Sequence, residues 1–220
     1  MEQILHIVSR GVDKRVIFAD NQDHLRFIHN LYEFNNTEPA NNMGYAFKKE
    51  NNIENSDIAS RYIKRQRRKL LVDVLAFCLM PNHYHILLTP RSENAVPQFM
   101  KKINIGYAKY FNIKYERTGT LFEGRYKSVP VLEHAHFLYV PFYIHLNPLD
   151  LIMPSWRSGV IPDSNKAIKF LENYRWSSFP DYAGKKNFPS VTSRAFLTEF
   201  FKDSDHKNDM IAWAKEREEN

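Results

Sequence analysis

The sequence predicts an α+β fold in which an antiparallel sheet carries helices on one face. Three observations predict it: short apolar segments typical of strands, longer segments with apolar residues at helical spacing, and the order in which the two kinds alternate. That order is strand, helix, strand, strand, helix, strand, helix. It is the order of a ferredoxin-like sandwich, and we expect a helical C-terminal extension to follow it.

The predicted strands are four short apolar segments. They cover residues 4–9 (ILHIVS), 70–79 (LLVDVLAFCL), 83–89 (HYHILLT) and 126–132 (YKSVPVL). The second is a nearly continuous apolar run with β-branched members, which is typical of a buried central strand. A tight turn at residues 80–82 (MPN) connects it to the third, so we expect these two to pair. Pro130 favours an edge position for the fourth, because proline cannot donate a ladder hydrogen bond.

The predicted helices carry apolar residues on one side. They cover residues 21–34, 94–115 and 133–146, with shorter ones at 166–174 and 194–201. Asp20 or Asn21 is expected to cap the first helix. Pro141 lies inside the third helix and predicts a kink or a break there, because its ring removes one backbone hydrogen bond and clashes with the preceding turn.

The chain is predicted to have a core at residues 1–150 and a C-terminal extension at residues 151–220 packed on that core. Within the core, residues 35–57 are rich in Asn and Glu and lack periodicity. This composition predicts a loop or an insertion. A basic helix is expected to follow it at residues 57–68.

Composition excludes several classes of protein. With 43% hydrophobic and 14% aromatic residues, the 220-residue chain is not globally disordered. It contains no run of about 18 apolar residues that could cross a membrane, and its N-terminus lacks the pattern of a secretory signal. Cys78 is the only cysteine, so an intramolecular disulfide is ruled out and a cytoplasmic protein is expected.

Positive charge is concentrated in two segments. The chain has 31 Lys and Arg against 25 Asp and Glu, a net charge of +6. Residues 61–69 (RYIKRQRRK) are mostly basic, and residues 101–127 interleave basic and aromatic side chains, a combination that suits the phosphates and bases of single-stranded nucleic acid. Candidate DNA contacts in these segments include Arg65, Arg67, Arg68 and Lys109. Charge alone leaves open the alternative of two solvated helix faces.

His83 and His85 are candidate metal ligands. On a strand, alternate side chains share a face, so both imidazoles project the same way and can bind one ion. Two histidines are too few for a closed zinc site, and Cys78 offers the only thiolate. The pattern therefore favours an open site completed by water, substrate and another side chain. The alternative is two polar residues on a solvated sheet face.

Tyr143 and Asn147 are spaced i and i+4 on a predicted helix, so one helical face presents both. Asn is a plausible oxygen ligand for a hard cation, and a nearby metal can activate a phenol whose unperturbed pKa is about 10. The alternative is core packing in an aromatic helix. His145 is expected to face away from Tyr143. Rival tyrosines by residue type are Tyr107, Tyr110 and Tyr115, for which core packing or base stacking is the simpler explanation.

Five segments, in this order, resemble the REP-associated tyrosine transposases, which belong to the single-tyrosine branch of the HUH nucleases. They are SRGVDKRVIF, MPNHYHILL, YAKYFNIKYERTGTLFEGRYKS, FYIHLNPLD and YRWSSFPDYAG. The two that hold the histidines and Tyr143 lie about sixty residues apart. Together the five cover roughly residues 4 to 184. The resemblance implies the HUH nuclease core as the fold and DNA transposition as the activity.

The resemblance also implies roles for individual residues. His83 and His85 are expected to ligate Mg²⁺ or Mn²⁺, with Asn147 as a further polar ligand. Tyr143 is expected to attack a DNA phosphate, leaving a 5′-phosphotyrosine link and a free 3′-hydroxyl. Expected contacts to DNA phosphates are Arg10, Arg125 and Lys127. The implied partner is single-stranded or hairpin DNA, bound by a monomer or a homodimer.

Two classes of function therefore remain at the level of sequence. The first is a metal-dependent endonuclease of transposase type that cleaves and rejoins single-stranded DNA. The second is a catalytically inactive module of the same fold that binds hairpin DNA or RNA. The presence of both histidines, the tyrosine and the asparagine favours the enzyme, because a module that only binds has no need of all four.

Overall fold

The computed structural model describes residues 3–38, 68–132, 134–200 and 206–216. Most of the predicted insertion and of the basic helix that follows it, including Arg65 and Arg67, lies outside the described residues.

A four-stranded antiparallel sheet forms the centre of the protein. Its strands are β1 (Leu5–Arg10), β2 (Val72–Met80), β3 (His83–Pro90) and β4 (Lys127–Pro130). Their order across the sheet is β2-β3-β1-β4, with β4 at an edge as Pro130 predicted. Helix α1 (Asn21–Glu33) connects β1 to the segment that leads to β2, and helix α2 (Ala95–Lys114) connects β3 to β4. The predicted ferredoxin-like α+β fold is confirmed.

Asp20 begins α1 with a capping box. Its side chain accepts a hydrogen bond from the backbone amide of Asp23 at 2.9 Å, and the Asp23 side chain accepts one from the backbone amide of Asp20 at 3.4 Å. Both bonds satisfy amides that have no partner within the helix, and both place negative charge at the positive end of the helix dipole. Of the two predicted caps, Asp20 is therefore the one used.

Helices α1 and α2 cover one face of the sheet with an aromatic core. The ring of Phe27 on α1 lies 4.6 Å from that of Tyr84 on β3 and 5.1 Å from that of Tyr107 on α2, and all three side chains are fully buried. The Tyr107 hydroxyl donates a hydrogen bond to the carbonyl of Ile17. Burial raises the pKa of Tyr107 far above its ordinary value, so this tyrosine is a core residue.

Helix α3 (His134–Leu146) covers the opposite face of the sheet, so the prediction that helices lie on one face only is wrong in this detail. Phe137, Val140 and Ile144 of α3 share one buried cluster with Leu87 of β3. The helix continues through Pro141 without the predicted break, although the missing amide removes one backbone hydrogen bond. Apolar contacts with the sheet on both sides of the proline stabilise the helix there.

Short helices follow α3 and make up the described part of the C-terminal extension, whose predicted start at residue 151 is the last residue of the first of them. They are two 3-10 turns at Asn147–Leu151 and Pro154–Ser158, followed by α4 (Ser164–Asn173), α5 (Phe179–Tyr182), α6 (Arg194–Phe200) and α7 (His206–Glu216). The segment between α4 and α5 lies along the free edge of β2. There the Leu79 amide donates to the carbonyl of Trp176 at 2.8 Å, and the Ser178 amide donates to the carbonyl of Phe77 at 3.0 Å. These bonds satisfy groups that an edge strand leaves unpaired.

Ser178 also connects β2 to α3. Its hydroxyl accepts a hydrogen bond from the Phe77 amide at 2.9 Å and lies 2.7 Å from Nε2 of His145, which is fully buried on α3. His145 therefore faces away from the Tyr143 side of the helix, as expected, and has a structural role.

Among the helices that the structure describes, none has the length and apolar character of a membrane-spanning segment.

Asp23 is a buried carboxylate that links α1 to α2. It is fully buried and accepts hydrogen bonds from the Tyr110 hydroxyl at 3.0 Å, from the Tyr115 hydroxyl at 2.8 Å and from the Lys114 ammonium at 2.7 Å. Removing one partner of a buried charged network is costly, because the remaining groups stay desolvated without a bond.

We expect Asp23→Ala to lower the free energy of unfolding by about 2–4 kcal/mol, because it removes the acceptor of two tyrosine hydroxyls and one of the two carboxylates that the Lys114 ammonium contacts. Urea denaturation with an unchanged m-value measures this loss. Asp13→Asn is the matched control, since the Asp13 side chain is 83% exposed and asparagine tolerates its left-handed backbone at φ 56°, and it should leave the midpoint unchanged. Equal midpoints for the two variants would contradict the assignment of Asp23 as a stabilising link.

Candidate active site

β3 and β1 together place the two candidate histidines on one face of the sheet. Successive side chains of a strand point to opposite faces, so His83 and His85 of β3 lie on the same face. The register puts Arg10 opposite His83 and Val8 opposite His85, and directly opposed side chains share a face. His6, two residues before Val8, lies on that face too. We call the face that carries His6, His83 and His85 the histidine face. Helix α3 packs on this face.

Both imidazoles make a hydrogen bond through Nδ1. The Nδ1 atom of His83 lies 2.6 Å from Oδ1 of Asn82, and the Nδ1 atom of His85 lies 2.9 Å from Nε2 of His6. The His6 and His85 rings stack with their centroids 5.1 Å apart. An imidazole held at one nitrogen by a neighbouring group offers the other nitrogen to a metal. Nε2 is therefore the nitrogen that each histidine can offer.

Burial lowers the pKa of both imidazoles. His85 is 5% exposed, and its pKa lies well below the ordinary value, first because of burial and next because of the neighbouring His6. The pKa of His83 is lowered to about 4, mainly by burial and then by the Arg10 guanidinium. Both rings are therefore neutral at pH 7, which is the form that binds metal ions.

Helix α3 brings Tyr143 to the histidines. The centroid of its ring lies 5.7 Å from that of His85 and 6.0 Å from that of His6, edge-on in both cases. The side chain is half-buried and packs against apolar side chains of α3 and the extension. The phenol is thus not enclosed in the apolar interior.

Asn147 begins the first 3-10 turn, directly after α3. It is fully buried, and its Nδ2 donates to the carbonyl oxygen of Tyr143 at 2.6 Å. Its side-chain oxygen accepts a hydrogen bond from Nη2 of Arg157 at 3.0 Å. The oxygen expected to bind a metal therefore already accepts one hydrogen bond from a guanidinium in this structure, and it has a second lone pair for an ion.

Arg157, in the second 3-10 turn, is held by Asp150. Nε of Arg157 donates to Oδ1 of Asp150 at 2.8 Å and Nη2 donates to Oδ2 at 2.6 Å, a bidentate pair. The Asp150 carboxylate also accepts from the indole nitrogen of Trp156 at 2.7 Å. Nη1 of Arg157 lies 3.3 Å from the hydroxyl of Tyr143 and donates to it. The pKa of Arg157 is raised, mainly by the bond to Asp150.

The available donors fit an open metal site and not a closed one. Among the residues that the structure describes, no group of three or more His, Cys, Asp or Glu side chains could hold a metal ion. Cys78 lies opposite His85 on β2, but it is fully buried, and burial raises the pKa of its thiol. Two neutral imidazoles and one amide oxygen leave the remaining ligand positions to water and substrate.

The expected DNA contacts fall into two groups. Lys127 of β4 lies opposite Val8, and therefore on the histidine face together with Arg10. Arg125 is exposed just before β4, and Lys127 and Arg10 are exposed as well. Lys109 is exposed on α2, in the layer on the other side of the sheet. The structure does not bring Lys109 to the histidine face.

Arg68 differs from the other expected contacts. Its guanidinium lies 3.5 Å from the centroid of the Tyr32 ring, and it donates a hydrogen bond to the Tyr32 carbonyl. In the described structure, Arg68 therefore packs against α1. Arg65 and Arg67 lie outside the described residues.

Comparison with known proteins finds a match to the segment that holds the histidines and Tyr143. A family model described as "Transposase IS200 like" matches residues 45–147, which is somewhat less than half of the chain and includes both histidines, Tyr143 and Asn147. The predicted transposase resemblance is confirmed. Since the match ends at residue 147, Arg157 and Asp150 lie beyond the IS200-like segment. No curated protein matches the chain.

Among the solved structures that match, one example is similar over most of the chain. It is described as "Structure of the REP associates tyrosine transposase bound to a REP hairpin". The two proteins are 11% identical, the similarity covers 87% of this chain and 85% of the other, and the TM-score is 0.47. A similarity this distant assigns no function to individual residues.

Two residues of the site, His6 and Arg157, were missed by sequence reasoning. The alternation in residues 4–9 could have shown that His6 shares a face with Val8, but the register of β1 on β3 was needed to place it beside His85. Arg157 follows the IS200-like segment by ten residues and has no distinctive pattern around it. Only the fold brings its guanidinium to Tyr143.

We expect His6→Ala to weaken Mn²⁺ binding about 10- to 100-fold, because His85 then loses the group that fixes its ring through Nδ1. Isothermal titration of the purified protein with Mn²⁺ measures the change. His29→Ala is the matched control, since His29 is exposed on α1, in the layer on the other side of the sheet. Unchanged Mn²⁺ affinity in His6→Ala would show that His6 does not support a metal ligand.

Proposed function

We propose that this chain is a metal-dependent single-strand DNA transposase that cleaves and rejoins DNA at hairpin-associated sites through a 5′-phosphotyrosine intermediate. The observation that carries the proposal is the position of Tyr143, whose ring lies 5.7 Å from that of His85 on the histidine face. The match of residues 45–147 to the IS200-like transposases supports it independently. A nucleophile and a pair of neutral metal-binding imidazoles thus occur together in one segment.

The rival tyrosines lack these neighbours. Tyr107 is fully buried and bonded to the carbonyl of Ile17. Burial raises the pKa of Tyr110 to about 12, and its hydroxyl donates to Asp23. Both lie on α2, on the other side of the sheet from the histidine face. Tyr143 is therefore the tyrosine that we assign as the nucleophile.

A divalent ion, Mg²⁺ or Mn²⁺, would be held by Nε2 of His83 and Nε2 of His85. Asn147 would add its side-chain oxygen through the lone pair that does not accept from Arg157. When bound, the ion reduces the charge repulsion between a nucleophile and a phosphodiester and stabilises the displaced oxygen. The protein fixes the geometry: Asn82 and His6 hold the imidazoles, and α3 holds the phenol.

The reaction that we propose is an exchange of one phosphate ester for another. The Tyr143 oxygen attacks the phosphorus, the phenolic proton passes to solvent, and the bond from phosphorus to the 3′-oxygen breaks. The 3′-oxygen leaves as a hydroxyl after taking a proton from solvent, and the 5′-phosphate stays on the tyrosine. Rejoining is the reverse exchange with a 3′-hydroxyl as nucleophile. Because the number of phosphodiester bonds is conserved, no ATP is needed.

Charge on the histidine face suits a DNA backbone. Arg10 and Lys127 flank the histidines across β1 and β4, and Arg125 is exposed beside them. Lys and Arg side chains that neutralise phosphates give a sequence-independent, salt-dependent contribution to affinity. Tyr143 and both histidines belong to the same chain, so we propose that a monomer contains a complete site.

We expect Tyr143→Phe to abolish a covalent protein–DNA adduct that the unchanged protein forms with Mn²⁺ and a labelled hairpin oligonucleotide. The phenylalanine lacks the attacking oxygen but keeps the ring that packs against the extension, so hairpin binding should stay within about twofold. Denaturing gels measure the adduct, and fluorescence anisotropy measures binding. Tyr139→Phe is the matched control, because Tyr139 lies one turn earlier on α3 and is 48% exposed.

An adduct that persists in Tyr143→Phe and disappears in Tyr139→Phe or Tyr110→Phe would show that the nucleophile is misassigned. Hairpin binding without any adduct in the unchanged protein would favour the alternative of an inactive binding module.

A second expected outcome concerns the DNA path. Arg125→Ala combined with Lys127→Ala should reduce the slope of log affinity against log salt concentration by about 1–2, if both side chains neutralise phosphates. Lys109→Ala, on the other side of the sheet, is the comparison and should change the slope less. The reverse ranking would place the DNA on the α2 side of the protein.

A further inference from the structure

Arg157 connects the candidate nucleophile to its neighbours through one guanidinium. Nη1 donates to the Tyr143 hydroxyl at 3.3 Å, Nη2 donates to Oδ1 of Asn147 at 3.0 Å, and the bidentate pair with Asp150 occupies Nε and Nη2. The central guanidinium carbon of Arg157, Cζ, also lies 5.6 Å from the centroid of the Tyr143 ring. The planar guanidinium thus contacts the proposed attacking oxygen and the side chain of Asn147, which is itself bonded to the Tyr143 carbonyl.

The guanidinium is fixed before any substrate binds. Asp150 holds it through two hydrogen bonds and itself accepts a hydrogen bond from the Trp156 indole. The centroid of the Trp156 ring lies 4.8 Å from Cζ of Arg157. Side chains fixed in this way stabilise developing charge without reorganising during the reaction. Because 42% of the Arg157 side chain is exposed, a DNA phosphate next to Tyr143 can also reach it.

We propose that Arg157 is a catalytic residue: its guanidinium orients the Tyr143 oxygen for attack and stabilises the negative charge that forms on that oxygen as the phenolic proton leaves to solvent. This inference rests on the proposed function, since it requires Tyr143 to be the nucleophile. The bonds that form and break are those of the phosphate exchange described above. Asp150 is the positioning residue that holds Arg157.

The opposite role for the same contacts is a block, in which Arg157 keeps the Asn147 oxygen away from a metal. The two roles predict opposite effects of removing the guanidinium on the reaction rate. A catalytic Arg157 predicts a slower reaction when the guanidinium is removed, whereas a blocking Arg157 predicts tighter Mn²⁺ binding and a faster reaction. The exposed position and the direct bond to the Tyr143 hydroxyl favour the catalytic role.

The test measures the single-turnover rate of adduct formation at saturating protein, together with hairpin affinity, Mn²⁺ affinity and the thermal midpoint. We expect Arg157→Ala to lower the rate about 10²- to 10³-fold, with hairpin and Mn²⁺ affinities within about threefold. Arg157→Lys should recover part of the rate, because an ammonium keeps the charge but loses the fork geometry. Added guanidinium ion at a non-denaturing concentration should raise the rate of Arg157→Ala more than that of Arg157→Lys.

Arg91→Ala is the matched control. Arg91 forms a comparable bidentate pair with Asp73, at 2.7 and 2.8 Å, and its side chain is 51% exposed. It follows the far end of β3 from the histidines, so its loss should leave the rate unchanged. If Arg157→Ala unfolds, the role of Arg157 is decided by comparing the single-turnover rate of Arg157→Lys with that of the unchanged protein.

The outcomes separate this inference from the proposed function. No adduct with the unchanged protein would overturn both. An adduct that Tyr143→Phe abolishes, together with an unchanged or faster rate in Arg157→Ala and Arg157→Lys, would overturn only the role of Arg157. A loss of rate explained by lost hairpin binding would overturn it as well, because the guanidinium would then only bind DNA.

Discussion

The packing of α3 on the histidine face is the constraint on which the rest of the site depends. Val140 and Ile144 are buried in one cluster with Leu87, and these contacts fix the helix over β3. Tyr143 precedes Ile144 directly, so its ring is carried to within 5.7 Å of the His85 ring. A phenol and two imidazoles that lie about sixty residues apart in sequence thereby meet through apolar contacts that have no chemical role themselves.

The extension supports the same arrangement from two sides. Along the free edge of β2, Ser178 bonds to the backbone of Phe77 and to His145, which ties the sheet to α3. Beyond α3, the turn that carries Asp150 returns the chain so that Arg157 reaches the Tyr143 hydroxyl. The residues that follow the IS200-like segment thus complete the surroundings of Tyr143, the proposed nucleophile, and also cover the edge of the sheet.

Patterns of period and turn chemistry were enough to predict the strands and the core helices, because each of these elements has a local signature. Tyr84 and the other inward side chains of β3 follow from alternation alone. Local signatures could not reveal that the histidine face is covered, since this depends on a helix packing across the sheet. His6 and Arg157 were missed for the same reason. Strand register places His6 beside His85, and a reversal of the chain places Arg157 beside Tyr143, and neither can be read from the neighbouring residues in sequence. Of the kink or break predicted at Pro141, the break does not occur, because apolar contacts with the sheet stabilise the helix on both sides of the proline.

The central claim is that Tyr143 and the histidine pair share one ion-binding site. Paramagnetic broadening of tyrosine NMR signals by Mn²⁺ tests it most directly, with Tyr143 assigned by comparison with Tyr143→Phe and with His83→Ala as the variant deprived of a proposed metal ligand. We predict that substoichiometric Mn²⁺ broadens the Tyr143 ring signals before those of Tyr107, which lies on the other side of the sheet, and that His83→Ala removes this selectivity. Tyr143 signals that stay sharp while Mn²⁺ binds, or broadening that is independent of His83, would contradict the claim.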